Sequence, residues 1–311
     1  MSFSTNIKNE VVTLEENESE TIAELSAFFR NNAIYDPSHI ELLTENAAVA
    51  RRIYTLVKTK YQISPEIEQR RNTNFSRNSL YFLIIKEKIS TILQDLSVIN
   101  DRYFYLLQPE EYITSTTEDK RAYLRGAFLA KGSINDPKTS RYHLEFSIDT
   151  IEEAEFIQEL LNDFNLNSKI LNRDKGYMVY MKEAEKISDF LRIIKASKAV
   201  LYFEDIRIYR DNRNRTNRLN NCEQANTDKM IETATRQLEE IEFLKENLGF
   251  DLLDEKTQEA ATYRCKYPEA SLQELSEIIS LETGKPITKS GLNHRFRKIK
   301  ELVGRMKNTN Q

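Results

Sequence analysis

Cysteine and histidine are scarce in this chain of 311 residues. Its two cysteines, Cys222 and Cys265, do not form a Cys-x-x-Cys pair, so the sequence offers neither a zinc ribbon nor a disulfide framework. Its three histidines, His39, His143 and His294, stand alone, which excludes a His-Glu-x-x-His zinc motif. We therefore expect no metal site and no cofactor.

Glycine is also scarce, with seven residues in the whole chain. The sequence contains none of the glycine-rich phosphate-binding motifs and no nucleophile elbow. An enzyme built from this chain would have to rely on carboxylates, lysines or tyrosines. We predict that the protein is not an enzyme.

Long hydrophobic runs are missing from the sequence as well. No apolar stretch approaches the roughly 20 residues that a bilayer-spanning helix needs, and the acidic first residues do not resemble a signal peptide. We expect a cytoplasmic protein without a membrane partner. Hydrophobic residues nevertheless make up 40% of the chain, which is enough apolar material for the cores of about two domains.

The chain repeats itself with an offset of 100 residues. Residues 26–37 read SAFFRNNAIYDP, and residues 126–137 read GAFLAKGSINDP. Each copy continues with a strand-like segment, an amphipathic helix, a second strand-like segment that ends in lysine, and another amphipathic helix. The sequence therefore predicts an α+β fold made of two related units.

The first helix of each copy is rich in small residues, among them Ser26, Ala27, Gly126 and Ala127. Small side chains allow two helix backbones to approach closely. In this respect residues 124–134, LRGAFLAKGSI, resemble the LAGLIDADG motif of homing endonucleases. The resemblance implies two motif helices packed along a pseudo-twofold axis, with two curved antiparallel sheets forming a saddle.

Nucleases of that family carry an acidic metal ligand at the end of each motif helix. This chain has Asn31 and Lys131 at those positions. Neither is a carboxylate, and the positive charge of a lysine repels a divalent cation. We interpret both as degenerate nuclease positions and predict that nuclease activity is lost. Asp36 and Asp136 each precede a proline and are typical of turns.

The task of the saddle, residues 20–203, stays open at this level. Its basic side chains cluster where a DNA-facing loop would lie, which slightly favours weak DNA binding. They are Lys58, Lys60, Arg70, Arg71, Arg77, Lys169, Arg173 and Lys175. The same residues could equally be solvated hairpin charges, and the saddle could be a protein-interaction platform or a dimerisation unit.

A polar segment follows the saddle. Residues 204–221 read EDIRIYRDNRNRTNRLNN and contain five arginines against three acids. Two compatible interpretations are a solvated hinge between domains and a basic arm on DNA phosphates. In the second interpretation Arg213, Arg215 and Arg218 are the DNA contacts.

From residue 228 onward, the spacing of apolar residues predicts helices throughout. Ile231 and Leu248 are among the residues predicted to face the core of this region. Ser271 and Glu274 form a predicted capping box at the start of a short helix.

The last predicted helix, in the segment TKSGLNHRFRKIKELVGRMK, has two different sides. Leu292, Phe296, Ile299 and Val303 recur at helical spacing and predict a buried stripe. The opposite side carries residue types that reach base edges and phosphates from a recognition helix. They are Lys289, Ser290, Asn293, His294, Arg295, Arg297 and Lys298.

Charge is segregated in the same region. Residues 228–284 hold fourteen acidic and six basic residues, whereas residues 286–311 hold seven basic residues and one acidic residue. The formal net charge of −4 therefore conceals a strongly basic terminal segment, as in nucleic-acid-binding helices. The alternative is a solvated amphipathic helix that closes a bundle.

The degenerate motif pair, the joint NRNRTNRLNNCEQAN and the terminal TKSGLNHRFRKI together resemble the WhiA family of bacterial proteins. The resemblance implies a DNA-binding protein without nuclease activity. It implies transcription regulation in sporulating actinomycetes, and a link to cell division and chromosome segregation in other Gram-positive bacteria. We therefore expect double-stranded DNA as the partner and an association with the nucleoid.

The predicted fold is thus a pseudo-twofold LAGLIDADG-type saddle of two α/β repeats, followed by an all-α helix-turn-helix domain. Two alternative functions remain. One is a protein–protein adaptor that docks partners through the saddle and the helical domain, and the other is an active metal-dependent endonuclease. The oligomeric state stays open. The predicted segments are an acidic lead-in (1–19), two repeats (20–110 and 111–203), a basic linker (204–227) and the helix-turn-helix domain (228–311).

Overall fold

The computed structural model describes residues 2–71, 79–247, 249 and 253–309. It divides into two compact units, Met1–Asp211 and Asn212–Gln311, and each unit has its own hydrophobic core. Two residues of the sequence predictions, Arg77 and Leu248, lie outside the described residues.

The described residues form α-helices and β-strands in an α+β arrangement, as predicted. The helices are α1 (Phe3–Val11), α2 (Glu18–Asn32), α3 (Ala47–Tyr61), α4 (Ile89–Asp95), α5 (Thr117–Lys131), α6 (Ile151–Asp163), α7 (Ala184–Ile193), α8 (Ser197–Asn247), α9 (Glu255–Lys266), α10 (Leu272–Thr283) and α11 (Lys289–Thr309). The strands are β1 (Ile34–Tyr35), β2 (Ile40–Thr44), β3 (Glu66–Arg71), β4 (Ser79–Ile85), β5 (Gly132–Ile134), β6 (Leu144–Ile148), β7 (Lys169–Asn172) and β8 (Tyr177–Met181).

The strands form two four-stranded antiparallel sheets with equivalent topology. Their orders are β1-β2-β4-β3 and β5-β6-β8-β7, so the sequence repeat is also a repeat of connectivity. Leu42 pairs with Leu83 in the first sheet, and Phe146 pairs with Val179 in the second. All four side chains are buried, which places one face of each sheet against the helices of unit 1.

The two motif helices, α2 and α5, pack against each other at very close range. A Cβ atom added to Gly126 would lie 2.2 Å from the carbonyl oxygen of Glu24 and 3.0 Å from the Cβ of Ala27. Only glycine fits at that point, so the prediction that small residues permit a close helix pair is confirmed. Thr116 and Asp119 form a capping box that starts α5.

The sequence predicts a hinge or a basic arm for the polar segment 204–227. In the structure this segment lies within α8, a helix of 51 residues. Residues 211–229 are all exposed, so the segment is outside both cores, as its polarity indicates. Neither glycine nor proline occurs between Ser197 and Asn247, so nothing in the backbone interrupts the helix. The polar composition therefore conceals a continuous helix.

In unit 2, α9, α10 and α11 pack on the last part of α8. The predicted capping box of Ser271 and Glu274 is present at the start of α10. The prediction for α8 was wrong at Ile231, which is 55% exposed. Ile241 is buried, as predicted, and the other buried residues of this side are Ala234, Gln237 and Leu244, which recur with it at steps of three and four residues.

Among the described helices, none is both long and apolar enough to cross a bilayer.

Candidate nucleic-acid interface

Helix α11 is anchored along one side and open along the other. Its predicted stripe of Leu292, Phe296, Ile299 and Val303 is buried in the core of unit 2. The hydroxyl of Thr288 accepts the backbone N–H of Gly291 at 3.1 Å and satisfies one free donor of the first turn. The open side of α11 is thus held in a fixed orientation by the core.

The exposed side of α11 carries a polar stripe with a cation on each flank. At about 100° per residue, Ser290, Asn293, His294 and Arg297 fall within roughly 100° of the helix circumference. Lys289 lies to one side of this stripe and Lys298 to the other. All six side chains are exposed. The helix therefore presents hydrogen-bonding groups in the middle and ammonium groups at the edges.

Two of the exposed cations of this side, Arg297 and Lys298, already contact carboxylates. The Nε of Arg297 lies 3.6 Å from Glu301 of the same helix, and both side chains are well exposed. The Nζ of Lys298 pairs with Asp254, the N-cap of α9. That hydrogen bond, together with the N–H of Thr257, lowers the pKa of Asp254 to about 2. Ion pairs between exposed side chains typically contribute at most about 1 kcal/mol to stability.

Arg295 differs from the rest of the predicted set because it faces α9. Its Nη1 donates to the carbonyl of Lys256 at 3.0 Å and to Glu259 at 2.8 Å. Its side chain is only 18% exposed. The structure therefore gives Arg295 contacts that fix α11 on α9.

Arg264 is a structural residue that sequence reasoning missed. It is buried and donates to Gln237 of α8 at 3.0 Å and to the carbonyl of Ala270 at 2.5 Å. Its guanidinium carbon lies 5.6 Å from the ring centroid of Phe296. One side chain thus ties α8, the start of α10 and the buried side of α11 together. An arginine in an ordinary amphipathic helix gives no sequence signal for this.

A cavity of about 540 Å³ opens beside the first residue of α11. Lys229 and Lys289 line it together with Ser271, the N-cap of α10. Two ammonium groups and the N-terminus of a helix all favour negative charge. This corner of unit 2 is therefore suited to an anionic group.

The predicted joint arginines Arg213, Arg215 and Arg218 are exposed on the part of α8 that belongs to unit 2. Helical spacing places Arg213 on the same side as Asn217, whereas Arg215 points to a different side. Arg210, three residues before Arg213, has another task. It donates to the carbonyls of Pro137 and Ser140 at 2.6 and 2.8 Å and so belongs to unit 1.

The degenerate nuclease position Asn31 is a buried member of a hydrogen-bond network. Its Nδ2 donates to the carbonyl of Ala27 at 2.8 Å and to Glu153 Oε1 at 3.0 Å. Glu153 also accepts from Arg30 Nε at 2.8 Å and from the Tyr123 hydroxyl at 2.5 Å. The Asn31 amide nitrogen therefore links α2 to Glu153 in the first turn of α6.

Lys131, the matching position of the second repeat, lies 3.7 Å from Asp149. It lines a groove of about 900 Å³ at the ends of the motif helices, together with Lys8, Asn32, Asn46 and Arg51. Among the described residues, no group of three or more His, Cys, Asp or Glu side chains is placed to hold a metal ion. The polar lining of this groove thus combines cations and amides with hydroxyl groups and one carboxylate, Glu45.

Lys8, which sequence reasoning did not single out, lies where α1 meets the end of α5. Its Nζ donates to the carbonyl of Leu129 at 3.1 Å and lies 5.5 Å from the centroid of the Phe128 ring. Burial lowers the pKa of Lys8 to about 8, although Glu45 opposes the shift. Burial thus disfavours the charged form of Lys8.

Among the basic residues for which the sequence predicts a DNA-facing loop, Arg173 and Lys175 lie between β7 and β8, and Arg70 lies in β3. Lys58 and Lys60 lie in α3, and Lys60 pairs with Glu18 at 2.6 Å. Arg70 pairs with Glu68 at 2.6 Å, and Arg173 pairs with Glu145 at 2.9 Å. Arg77 lies outside the described residues. Lys60, Arg70 and Arg173 are thus paired with carboxylates, whereas Lys169 and Lys175 are exposed.

In each repeat, an aspartate that precedes a proline lies in the turn after the motif helix. Asp36 Oδ1 accepts the backbone N–H groups of Ser38 and His39 at 2.7 and 3.0 Å. Asp136 Oδ1 accepts the N–H of Lys138 at 2.8 Å. Both carboxylates therefore stabilise the turn that follows the motif helix.

Three family models match the chain and together cover most of it. They are the WhiA N-terminal LAGLIDADG-like domain over residues 18–99, the WhiA LAGLIDADG-like domain over 120–213, and the WhiA C-terminal HTH domain over 216–303. Their order along the chain is that of the two repeats and the helical unit.

Full-length relatives agree with the family models. The chain is 44% identical over 312 residues to a protein of Bacillus pumilus (strain SAFR-032) and 46% identical over 311 residues to one of Bacillus cereus (strain B4264). Both bear the name Probable cell division protein WhiA, and each match covers 99% of this chain and 98% of the relative.

One solved structure shares the fold over nearly the whole chain. It is the crystal structure of full-length DUF199/WhiA from Thermatoga maritima, with a TM-score of 0.58 and 24% sequence identity. The similarity covers 98% of this chain and 99% of that one.

Proposed function

Because the chain belongs to the WhiA family, we propose that it is a sequence-specific DNA-binding protein that regulates transcription in connection with cell division and chromosome segregation. We further propose that its homing-endonuclease-like scaffold has lost nuclease activity and that the protein associates with the nucleoid. The observation that carries the proposal is the two-sided helix α11, buried on one side and lined with polar and cationic groups on the other.

In this proposal α11 enters the major groove of a DNA duplex. Ser290, Asn293, His294 and Arg297 face the base edges, because arginine pairs with guanine and asparagine with adenine through two hydrogen bonds. Lys289 and Lys298, on the flanks, approach phosphates on the two sides of the groove. Arg295 supports this arrangement from behind, through its contacts with α9.

The α8 arginines extend the contact with DNA. Arg213, Arg215 and Arg218 lie on a helix segment whose residues are all exposed. Guanidinium groups bind DNA phosphates through charge-assisted hydrogen bonds, so these three side chains are available for the DNA backbone.

The proposed loss of nuclease activity follows from the chemistry of the motif-helix ends. Metal-dependent phosphodiester hydrolysis needs oxygen ligands with negative charge. Asn31 is buried in the Glu153 network, and Lys131 brings a positive charge to the groove.

Base reading is tested with the full-length protein and a duplex selected from a random DNA pool. We expect Arg297→Ala to weaken binding to the selected duplex by roughly 1–3 kcal/mol, or about 5- to 150-fold, with little loss on random DNA. Fluorescence anisotropy measures both affinities. Lys266→Ala, which removes an exposed cation from α9, is the matched control. Equal losses on selected and random DNA would refute base reading by Arg297.

Nuclease activity is tested separately with supercoiled plasmid, Mg²⁺ or Mn²⁺ and the full-length protein. We expect the plasmid to stay supercoiled. Metal-dependent nicking that disappears in Asp136→Ala would overturn the proposed loss and support the endonuclease alternative.

A further inference from the structure

The segment between the two repeats exposes an unusual number of large apolar side chains. Tyr103 is 66% exposed, Phe104 is 67% exposed and Leu107 is 60% exposed. Tyr105 and Tyr112 are exposed as well. We call residues 99–107 the aromatic hairpin, because Ile99 and Tyr105 form an antiparallel bridge across it. Neighbouring apolar residues exposed together in this way are typical of interaction sites.

The backbone of the aromatic hairpin is well ordered by local hydrogen bonds. The side-chain oxygen of Asn100 accepts the N–H groups of Arg102 and Phe104 at 2.9 and 3.0 Å. The backbone N–H of Asn100 donates to the carbonyl of Phe104 at 2.9 Å. Tyr103 has a φ of +65°, an uncommon value for a residue other than glycine. These bonds hold a conformation that points aromatic rings into solvent.

A buried arginine of the first motif helix anchors the hairpin. Arg30 donates to the carbonyls of Leu106 and Leu107 at 2.9 and 2.8 Å, and its guanidinium carbon lies 5.3 Å from the centroid of the Tyr105 ring. Its Nε is paired with the buried Glu153. The exposed side chains are therefore displayed on a rigid base, which reduces the entropy lost when a partner binds.

The charge of the segment selects the kind of partner. Residues 101–112 contain the acids Asp101, Glu110 and Glu111 and a single base, Arg102. All four are exposed. A negative net charge disfavours both DNA phosphates and anionic lipid headgroups, whereas it attracts lysine and arginine side chains.

We propose that the aromatic hairpin is a docking site for a protein segment that carries apolar side chains next to basic ones, such as an amphipathic basic helix. Tyr103, Phe104 and Leu107 contact the apolar side of the partner, and Asp101, Glu110 and Glu111 pair with its basic flank. This site lies in unit 1 and is separate from the DNA-reading helix of unit 2, so the protein can bind DNA and a protein partner through different surfaces.

The test uses the full-length protein and a fluorescent 18-residue peptide that is helical, with leucines on one side and lysines on the other. We expect the peptide to bind and the variant Tyr103→Ser/Phe104→Ser/Leu107→Ser to bind it at least about tenfold more weakly, since large apolar contacts dominate such interfaces. The matched control is Ile208→Ser/Tyr209→Ser, which removes two comparably exposed apolar residues from α8. A peptide with glutamate in place of lysine tests the charge requirement.

Several results would overturn the proposal. One is that the wild-type protein and the hairpin variant bind the lysine peptide with the same affinity, and another is that the wild-type protein binds the glutamate peptide as tightly as the lysine peptide. The other two are hairpin-dependent binding to phosphatidylserine vesicles and hairpin-dependent self-association in sedimentation velocity. DNA affinity is measured for the same variants and should be unchanged. Failure of the docking site is therefore distinguishable from failure of DNA binding by α11.

Discussion

At the end of the first motif helix, an uncharged amide completes a buried network around one carboxylate. Glu153 accepts hydrogen bonds from Arg30, Asn31 and Tyr123, and these three donors compensate for its burial. A second carboxylate at position 31 would share that site with Glu153 at about hydrogen-bond distance. The residue that the resemblance would require for nuclease chemistry is therefore incompatible with the network that stabilises this chain.

We expect Asn31→Asp to destabilise the folded chain by on the order of 3 kcal/mol at pH 8, because it places a second charge in a buried site. The like charge of Glu153 raises the folded-state pKa of the new carboxyl group. The folded state therefore retains a proton more readily than the unfolded state, and the destabilisation shrinks as the pH falls toward 5. Urea unfolding followed by circular dichroism measures the effect.

Asn31→Ala is the control for this substitution, since it removes the same amide without adding charge. It should cost about 1 kcal/mol at either pH. An Asn31→Asp protein that is as stable as wild type at pH 8, or whose loss does not depend on pH, would contradict the proposed role of the network.

A second prediction at the residue scale concerns Lys8 and the free energy of unfolding at alkaline pH. Its pKa is about 8 in the folded chain, below the value of about 10.4 for an unperturbed lysine. Between these values the unfolded state binds more protons, so the free energy of unfolding rises with pH from about 8 upward. We expect this rise to be smaller in Lys8→Met, as measured by urea unfolding between pH 7.5 and 9.5. The same slope in both proteins would argue against a buried, proton-poor Lys8.

At the scale of elements, the close pair of α2 and α5 is the feature on which unit 1 is built. The position of Gly126 against the carbonyl of Glu24 leaves no room for a methyl group. Around this contact the buried Arg125 donates to Glu24 at 2.7 Å, and Arg52 of α3 donates to the same carboxylate at 3.0 Å. Any separation of the two helices therefore also disturbs a buried ionic cluster.

We expect Gly126→Ala to destabilise the chain by at least about 1–3 kcal/mol, because the added Cβ forces the two helices apart. Gly304→Ala in α11 is the matched control. Nothing lies within 4 Å of the Cβ it adds, so it should stabilise the chain by about 0.5–1 kcal/mol through helix propensity alone. Thermal unfolding compares the two variants. A neutral Gly126→Ala would mean that the helices do not touch at this point.

Sequence reasoning succeeded where a structure depends on neighbours along the chain. The capping box of Ser271 and Glu274 and the buried stripe of α11 arise from local spacing, and both were predicted. It failed where the partners are distant. Arg30 donates to carbonyls 76 and 77 residues away, and Arg264 bonds with a side chain 27 residues away, so no short window indicates that either arginine is buried.

Helix α8 shows a different reason for failure. An exposed polar segment has no apolar periodicity, so it looks like a hinge in the sequence although its backbone is helical. At Ile231 the prediction was wrong for another reason, because this apolar residue was assigned to the core although it is exposed. Ala234 and Gln237 are the buried residues in that part of α8.

At the scale of the whole molecule, two LAGLIDADG-like domains are followed along the chain by a separate helical unit. Exposed arginines and lysines lie on α11 and on the part of α8 that belongs to unit 2. A scaffold that resembles a homing endonuclease is thus combined with a separate helical unit, and our account assigns the DNA contacts to that helical unit.

The central claim is that the full-length protein binds duplex DNA through α11 and the α8 arginines. The most direct test is anisotropy with labelled duplex DNA across a salt series. Each lost phosphate contact lowers the slope of log affinity against log salt by about 0.9. We predict a steep negative slope that falls by about 1 in Lys289→Ala and by up to about 3 in Arg213→Gln/Arg215→Gln/Arg218→Gln, with no change in Lys266→Ala. Absence of salt-dependent binding, or the same slope in all four proteins, would contradict the account.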